Sequence, residues 1–376
     1  MRVQYRELQT MPKHLIACAL LMAALHAAGQ ATTPDAPAPL PPASALHGPW
    51  DPASNNARAD QWQLANSRSP GAMAQWNWFQ SEYNAMNSKG NATLATGDRR
   101  ELQDIAGLIR AAAPASFERH MAEYFLAFPE PDAYTELEAA RQLGPDRAEL
   151  ISPMLNKALR DGDETAVRHW GSQLAQRGQV APALLATATD MLLSVPVGAV
   201  LFTNGDMDGQ PAVLRQLEQA KPDVLLVDRR LLADAAYRHR IWKRAGGTGA
   251  TPGYGPAFAR SLVKQGKRPV YFALSLAPQW LKAFPGELNA VGAAFRVGPP
   301  TDADQEQLEA NWQAMQKPLD AGPLSRNYLV PGAVLLGHYR QSGQYAKAAA
   351  LEQELRNIAT ATGALHELQT KGILKP

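Results

Sequence analysis

The sequence predicts a mixed α and α/β fold: helical hairpins of tetratricopeptide-like character flanking a small three-layer domain built on a parallel sheet. Three observations carry this. Val197-Gly198-Ala199-Val200-Leu201-Phe202 is a near-continuous apolar run that stops at Thr203-Asn204-Gly205-Asp206-Met207-Asp208-Gly209, before Pro211 opens a helix and Val224-Leu225-Leu226-Val227 gives a second run. Strands apolar on both faces belong in parallel sheets covered by helices. Before this unit, apolar residues recur at three- and four-residue steps. After it, Leu335, Tyr339, Gly343, Tyr345 and Ala348 fall at the spacing of a tetratricopeptide unit.

In chain order, the first of the 376 residues are read as a targeting segment. Lys13 and His14 precede an apolar run from Leu15 to Leu25, and Gly29-Gln30-Ala31 offers a small-x-small cut. This is the pattern of a secretory signal peptide, 1–31, with cleavage near Ala31 and Met11 as an alternative start. The run is too short to span a bilayer comfortably. Cys18 is the sole cysteine and lies inside the segment, so the mature chain has none. A disulfide-free exported protein fits a bacterial periplasm, or secretion from such a cell. The formal net charge is +2, and Arg2, Arg6, Glu7 and Lys13 account for all of it. A near-neutral mature chain excludes general nucleic-acid binding, which needs a basic surface.

Residues 32–55 are rich in Pro and Ala and are read as a disordered leader. Residues 56–190 read as paired helices. Leu102, Ile105, Leu108 and Ile109, then Met121, Tyr124, Phe125 and Phe128, mark apolar faces, with breaks at Pro114, Pro129, Pro131, Gly144 and Gly178. Trp76, Phe79 and Tyr83 share one helical face, predicting core between helices rather than a peptide or glycan groove. Met154, Leu155, Leu159, Gly162, Ala166 and Trp170 suggest a second, weaker repeat-like unit. Residues 191–300 form the α/β region. Its third strand is Val270-Tyr271-Phe272-Ala273-Leu274, and the loop from Gly246 to Gly255 reads as a lid or exposed loop. Residues 301–376 return to helix. There Gly343 allows a tight turn, Tyr345 is expected to pack back on the hairpin, and small Ala348 admits close approach.

Ligands of parallel sheets sit at the carboxyl ends of the strands, where Thr203, Asn204, Gly205, Asp206 and Asp208 fall. Two carboxylates one residue apart are able to hold a hard cation such as Mg²⁺ through oxygen, with a helix N-terminus behind them for an anion. The same residues are also what a strand-to-helix turn requires, since Asn and Gly tolerate positive φ and Asp caps a helix. Asp228, Arg229 and Arg230 end the second strand. Arg229 or Arg230 is able to pair with Asp206 or Asp208, which makes the loop an ion-pair network instead. The sequence contains no G-x-S-x-G nucleophile turn and no P-loop lysine. Its histidines show no ligand spacing, so no catalytic residue and no fixed metal site is assigned.

The stretch Leu201-Phe202-Thr203-Asn204-Gly205-Asp206-x-Asp208, with Pro222-Asp223-Val224, Leu231-Leu232 and Lys267-Arg268-Pro269-Val270-Tyr271-Phe272, resembles the soluble α/β region of a bacterial family linked to protein O-mannosyltransferase-like membrane proteins. The resemblance spans about residues 190–300. It implies that Thr203, Asn204, Gly205, Asp206 and Asp208 are a signature loop. Two departures stand out. The multi-pass membrane part is missing, so a lipid-linked sugar transfer has no scaffold. Gly209-Gln210-Pro211-Ala212-Val213 replaces the family's aromatic helix start, which implies an altered pocket. The combined expectation is an exported envelope protein that binds or scaffolds another protein or a peptide. The alternative is an enzyme or sensor of a phosphate- or sugar-containing ligand at Asn204–Asp208.

Overall fold

In the computed structural model, residues 40–43, 46–48, 51–88, 96–218, 221 and 223–375 are described. The expected signal peptide and the first part of the expected leader lie outside them. Pro41–Pro376 forms one compact unit.

Helices α1 (Pro52–Arg68), α2 (Ala72–Ser88), α3 (Thr96–Ala112), α4 (Phe117–Ala127) and α5 (Pro131–Leu143) open the chain. Local signals set their starts. Asp51 accepts the Ser54 N–H at 2.7 Å and Ser116 accepts that of Arg119 at 3.2 Å, satisfying donors that a helix start leaves orphaned. Pro131 occupies a first-turn position, where its missing N–H costs nothing. Trp76, Phe79 and Tyr83 are buried in the core these helices share, as the helical spacing predicts. Trp76–Phe79 and Phe79–Tyr83 stack at 5.8 and 6.4 Å.

The leader needs correction at its end. Trp62 Nε1 donates to Pro42 O at 3.1 Å, His47 is buried, and α1 starts at Pro52 rather than after residue 55. An apolar indole edge with one donor gives the Pro-rich segment something to pack on, and composition alone does not reveal it.

Next come α6 (Ile151–Asp161), α7 (Glu164–Arg177) and α8 (Pro182–Leu193). Gly162 closes α6 at φ +73 and Asp163 caps α7 through the Ala166 N–H at 2.9 Å, making a tight hairpin. The sheet is β1 (Val200–Thr203), β2 (Leu225–Asp228), β3 (Val270–Ala273), β4 (Leu288–Ala290) and β5 (Ala294–Val297), in the order β2-β1-β3-β5-β4. The helices between them are α9 (Gly209–Leu217), α10 (Ala235–Arg244), α11 (Pro256–Gln265) and α12 (Pro278–Lys282). The three expected strands are parallel, with Val200 opposite both Leu225 and Val270. The sheet as a whole is mixed, because β5 adds antiparallel to β3 and β4 antiparallel to β5. Each is interrupted by a polar residue, Asn289 in β4 and Arg296 in β5, so neither shows the continuous apolar run that marks the first three strands.

Alternate residues serve opposite layers. Val200, Phe202, Leu225, Val227, Val270 and Phe272 face a core shared with α10–α12. Leu201, Tyr271 and Ala273 face a core shared with α8 and the C-terminal helices. These are α13 (Asp302–Ala314), α14 (Leu329–Gln341), α15 (Tyr345–Ala361) and α16 (Leu365–Thr370). In the α14/α15 hairpin Leu335, Tyr339 and Ala348 are buried and Gly343 turns at φ +72. Tyr345 does not pack back: it is 75% exposed. As the first residue of α15 it precedes the face that meets α14.

Candidate functional site

The loop from β1 to α9 is shaped by its own side chains. Gly205 sits at φ +131, and a Cβ there would lie 2.2 Å from the Arg230 guanidinium carbon. Only glycine permits both the conformation and the contact. Asp208 turns back and accepts the N–H groups of Asn204 and Gly205, each at 2.8 Å, and of Gly209 at 2.6 Å. The Ser275 hydroxyl, just past β3, donates to the same carboxylate. Burial raises the Asp208 carboxyl above the ordinary range, and these donors offset only part of that.

Asp206 faces the helical layer. Arg230 Nη1 and Nη2 donate to it in a fork at 3.0 and 2.7 Å, while Asn156 of α6 and Gln210 of α9 each donate at 3.2 Å. Burial alone would raise its pKa. The charge and hydrogen bonds of Arg230 outweigh that and hold it below the ordinary Asp value. Arg230 also donates Nη2 to Asp228 at 2.7 Å and lies 5.0 Å from the Phe128 ring centroid. Burial pulls its pKa down, but the two carboxylates overcome this and lift it well above the usual value.

Of the sequence-predicted residues, the structure gathers Asn204, Gly205, Asp206, Asp208 and Arg229 around one crevice; Asp228 joins it only through Arg230. Arg229 is buried, with Nε donating to Asn204 Oδ1 at 2.5 Å. It is Arg230, not Arg229, that bridges the carboxylates. Thr203 is not in the crevice: it is buried, and its hydroxyl reaches Val227 O at 3.4 Å. The crevice encloses about 60 Å³, with Asn87 of α2 and Leu324 on its walls. Ordinary small-molecule sites run to roughly 300–1,000 Å³, so a sugar phosphate does not fit without rearrangement. Holding Mg²⁺ at this loop requires Asp206 to surrender Arg230, or Asp208 to surrender the backbone donors that shape the turn. No cluster of three or more potential metal-ligating side chains occurs among the described residues.

Comparison of the chain with protein-family models, with curated proteins and with solved structures finds no match. No helix among the described residues is long and apolar enough to cross a membrane.

Sequence reasoning missed Asn156 and Asn87, which come from helices remote in sequence, and it missed a second polar hub. Asp190 of α8 is buried and accepts the N–H groups of Gln316 and Lys317 at 2.8 and 2.9 Å and the Tyr328 hydroxyl at 2.7 Å. A carboxylate in an otherwise apolar helix, Pro182–Leu193, was the available signal. The Gly246–Gly255 loop is anchored where it begins, since Gly247 packs against the Trp242 ring so closely that a Cβ would lie 2.3 Å from it.

Proposed function

We propose that this chain is an exported cell-envelope protein that acts by binding, a scaffold for another protein or a peptide, and that Asn204–Asp208 is a structural latch rather than a reaction centre. One observation carries the reading: both loop carboxylates are taken by the protein's own donors, Asp206 by Arg230 and Asp208 by three backbone N–H groups and Ser275. A latch of this kind ties β1, β2 and α6 together and leaves neither loop carboxylate free to act as a base. The hairpins α6/α7 and α14/α15, read as tetratricopeptide-like units, support a binding role, since stacked helix pairs build concave binding surfaces. The signal-peptide pattern supports export to the periplasm or medium. The Leu201–Asp208 signature supports kinship with the family linked to O-mannosyltransferase-like membrane proteins, with the loop kept for its shape.

The test is thermal denaturation of the full chain with Mg²⁺, inorganic phosphate and glucose 1-phosphate. The expected result is no concentration-dependent stabilisation. Stabilisation of the wild type that disappears in Asp206→Ala and Asp208→Ala overturns the latch reading in favour of a sensor or enzyme. Cross-linking in intact cells followed by capture should recover discrete envelope proteins, and an empty capture counts against the scaffold.

A further inference from the structure

Strand β2 forms an edge of the sheet. In a parallel ladder a residue directs its N–H and C=O to the same neighbour, and successive residues alternate sides. Leu225 N–H bonds Ala199 O at 2.8 Å and Arg229 N–H bonds Thr203 O at 3.2 Å, so Leu225, Val227 and Arg229 face β1. Val224, Leu226 and Asp228 therefore turn outward, and β2 ends the sheet. Side chains stop two of these positions. Gln216 Nε2 donates to Val224 O at 2.7 Å, and the Tyr237 hydroxyl accepts the Asp228 N–H at 3.2 Å. Between these stops, the N–H and C=O of Leu226 point away from β1, and no strand among the described residues pairs with them.

Leu226 lines a groove of about 510 Å³ running between α7 and α9 on one side and α10 on the other. Val167, Val213, Leu217, Leu226 and Ile241 give it an apolar lining. Its rim is unbalanced in charge: Arg168, Arg240 and Arg244 against the single carboxylate of Glu164. Arg240 is held at the rim by donating Nη2 to Leu159 O at 3.1 Å, and Glu164 lies 3.9 Å from Arg168, in an exposed contact that neutralises little.

We propose that this groove binds an extended peptide that adds a short strand to β2, with an acidic residue facing the arginine rim. A donor and acceptor at strand spacing are matched by peptide backbone. The apolar lining takes an alternate side chain, and the arginine excess selects a carboxylate. From Val224 to Asp228 the edge spans roughly 13 Å at a strand rise of about 3.3 Å per residue, which limits the bound segment to about five residues. The proposal deepens the binding reading above and rests on it for its biological sense, although the groove lies apart from the Asn204–Asp208 loop.

The test uses the full chain and fluorescein-labelled pentapeptides in two matched arrays. One alternates Val, Ile, Leu or Phe with Asp or Glu; the other alternates the same residues with Lys. Fluorescence anisotropy reads binding, and amide exchange reads Leu226. In the free protein the Leu226 amide is expected to exchange faster than those of Leu225 and Val227, and to become protected when an acidic peptide binds. Leu226→Pro removes the outward N–H without touching a bond to β1, as an edge strand tolerates, and should weaken binding at least tenfold. Arg244→Glu should do the same while leaving Leu226 exchange in the free protein unchanged. Acidic peptides that bind no better than lysine peptides, variants that bind like wild type, or a slowly exchanging Leu226 amide in the free protein each overturn the proposal. Failure here with no ligand response at Asp206 removes only the groove. A ligand response lost in Asp206→Ala removes the scaffold reading and leaves the groove to be judged on its own data.

Discussion

Arg230 forks across two carboxylates carried on different strand ends, Asp206 after β1 and Asp228 closing β2. Arg230→Ala strands both in a buried site, so it is expected to cost about 3–5 kcal/mol. Asp206→Ala leaves Arg230 paired with Asp228 and should cost less, about 1–3 kcal/mol. Urea unfolding of the two variants checks the order, and equal losses would show that Arg230 is not the hub. Acid should reveal the same pair. The pKa of Asp206 is depressed in the fold, so its contribution is fully present above the unfolded Asp value near ~4 and is lost as pH falls through the lower folded value. Asp208 acts with the opposite sign: its raised pKa makes ionisation a cost at neutral pH that protonation relieves. Asp206→Asn is therefore expected to flatten the loss of stability below about pH 4, read as the urea midpoint at pH 7, 5 and 3. The loop's shape was legible because Asn, Gly and Asp in that order admit few turns. The choice between Arg229 and Arg230 was not. Successive residues leaving a strand point opposite ways, and a boundary uncertain by one residue swaps their roles.

Helices announce themselves through periodicity and buried parallel strands through continuous apolar runs, and closely packed positions do neither. Gly332 lies inside α14, where a Cβ would stand 2.4 Å from Leu355 of α15 and 2.8 Å from Trp312 of α13. A glycine in a helix interior ordinarily costs about 1 kcal/mol relative to alanine; here its absent side chain lets three helices meet. Gly332→Ala is expected to destabilise by about 1–3 kcal/mol despite the better helix propensity, whereas a stabilised variant in guanidinium unfolding would mean the helices can part. The same reasoning explains Tyr345. The Gly-x-Tyr pattern suggested an inward aromatic, but whether the first residue of a helix faces inward depends on how the hairpin is rotated, which local spacing does not fix. Strands β4 and β5 escaped notice for a related reason. β5 is ordered by pairing with β3, a contact between segments more than twenty residues apart, and β4 by pairing with β5.

A sheet that is apolar on both faces requires two covering layers, and in this molecule they come from different parts of the chain. One face is closed by α10–α12, which alternate with the strands in sequence. The other is closed largely by what comes last, as Leu308, Trp312, Tyr328 and Leu335 join Leu201, Tyr271 and Ala273 in one core. Asp190 strengthens that union, since α8 holds Gln316, Lys317 and Tyr328 through a single carboxylate. The division of the sequence into three regions is a division of pattern, and the core crosses it. Each large apolar side chain returned to water costs about 1.5–3 kcal/mol, and the net stability of a folded chain is only about 5–15 kcal/mol. Losing the cover of Leu201 and Tyr271 together with the partners of α8 is enough to exhaust that margin. A chain ending at residue 300 is therefore expected to keep helical far-ultraviolet dichroism but lose its cooperative thermal transition and bind 8-anilinonaphthalene-1-sulfonate. If that truncated chain instead melts sharply and leaves the dye dark, the C-terminal helices are an appended module and the α/β region closes its second face by other means.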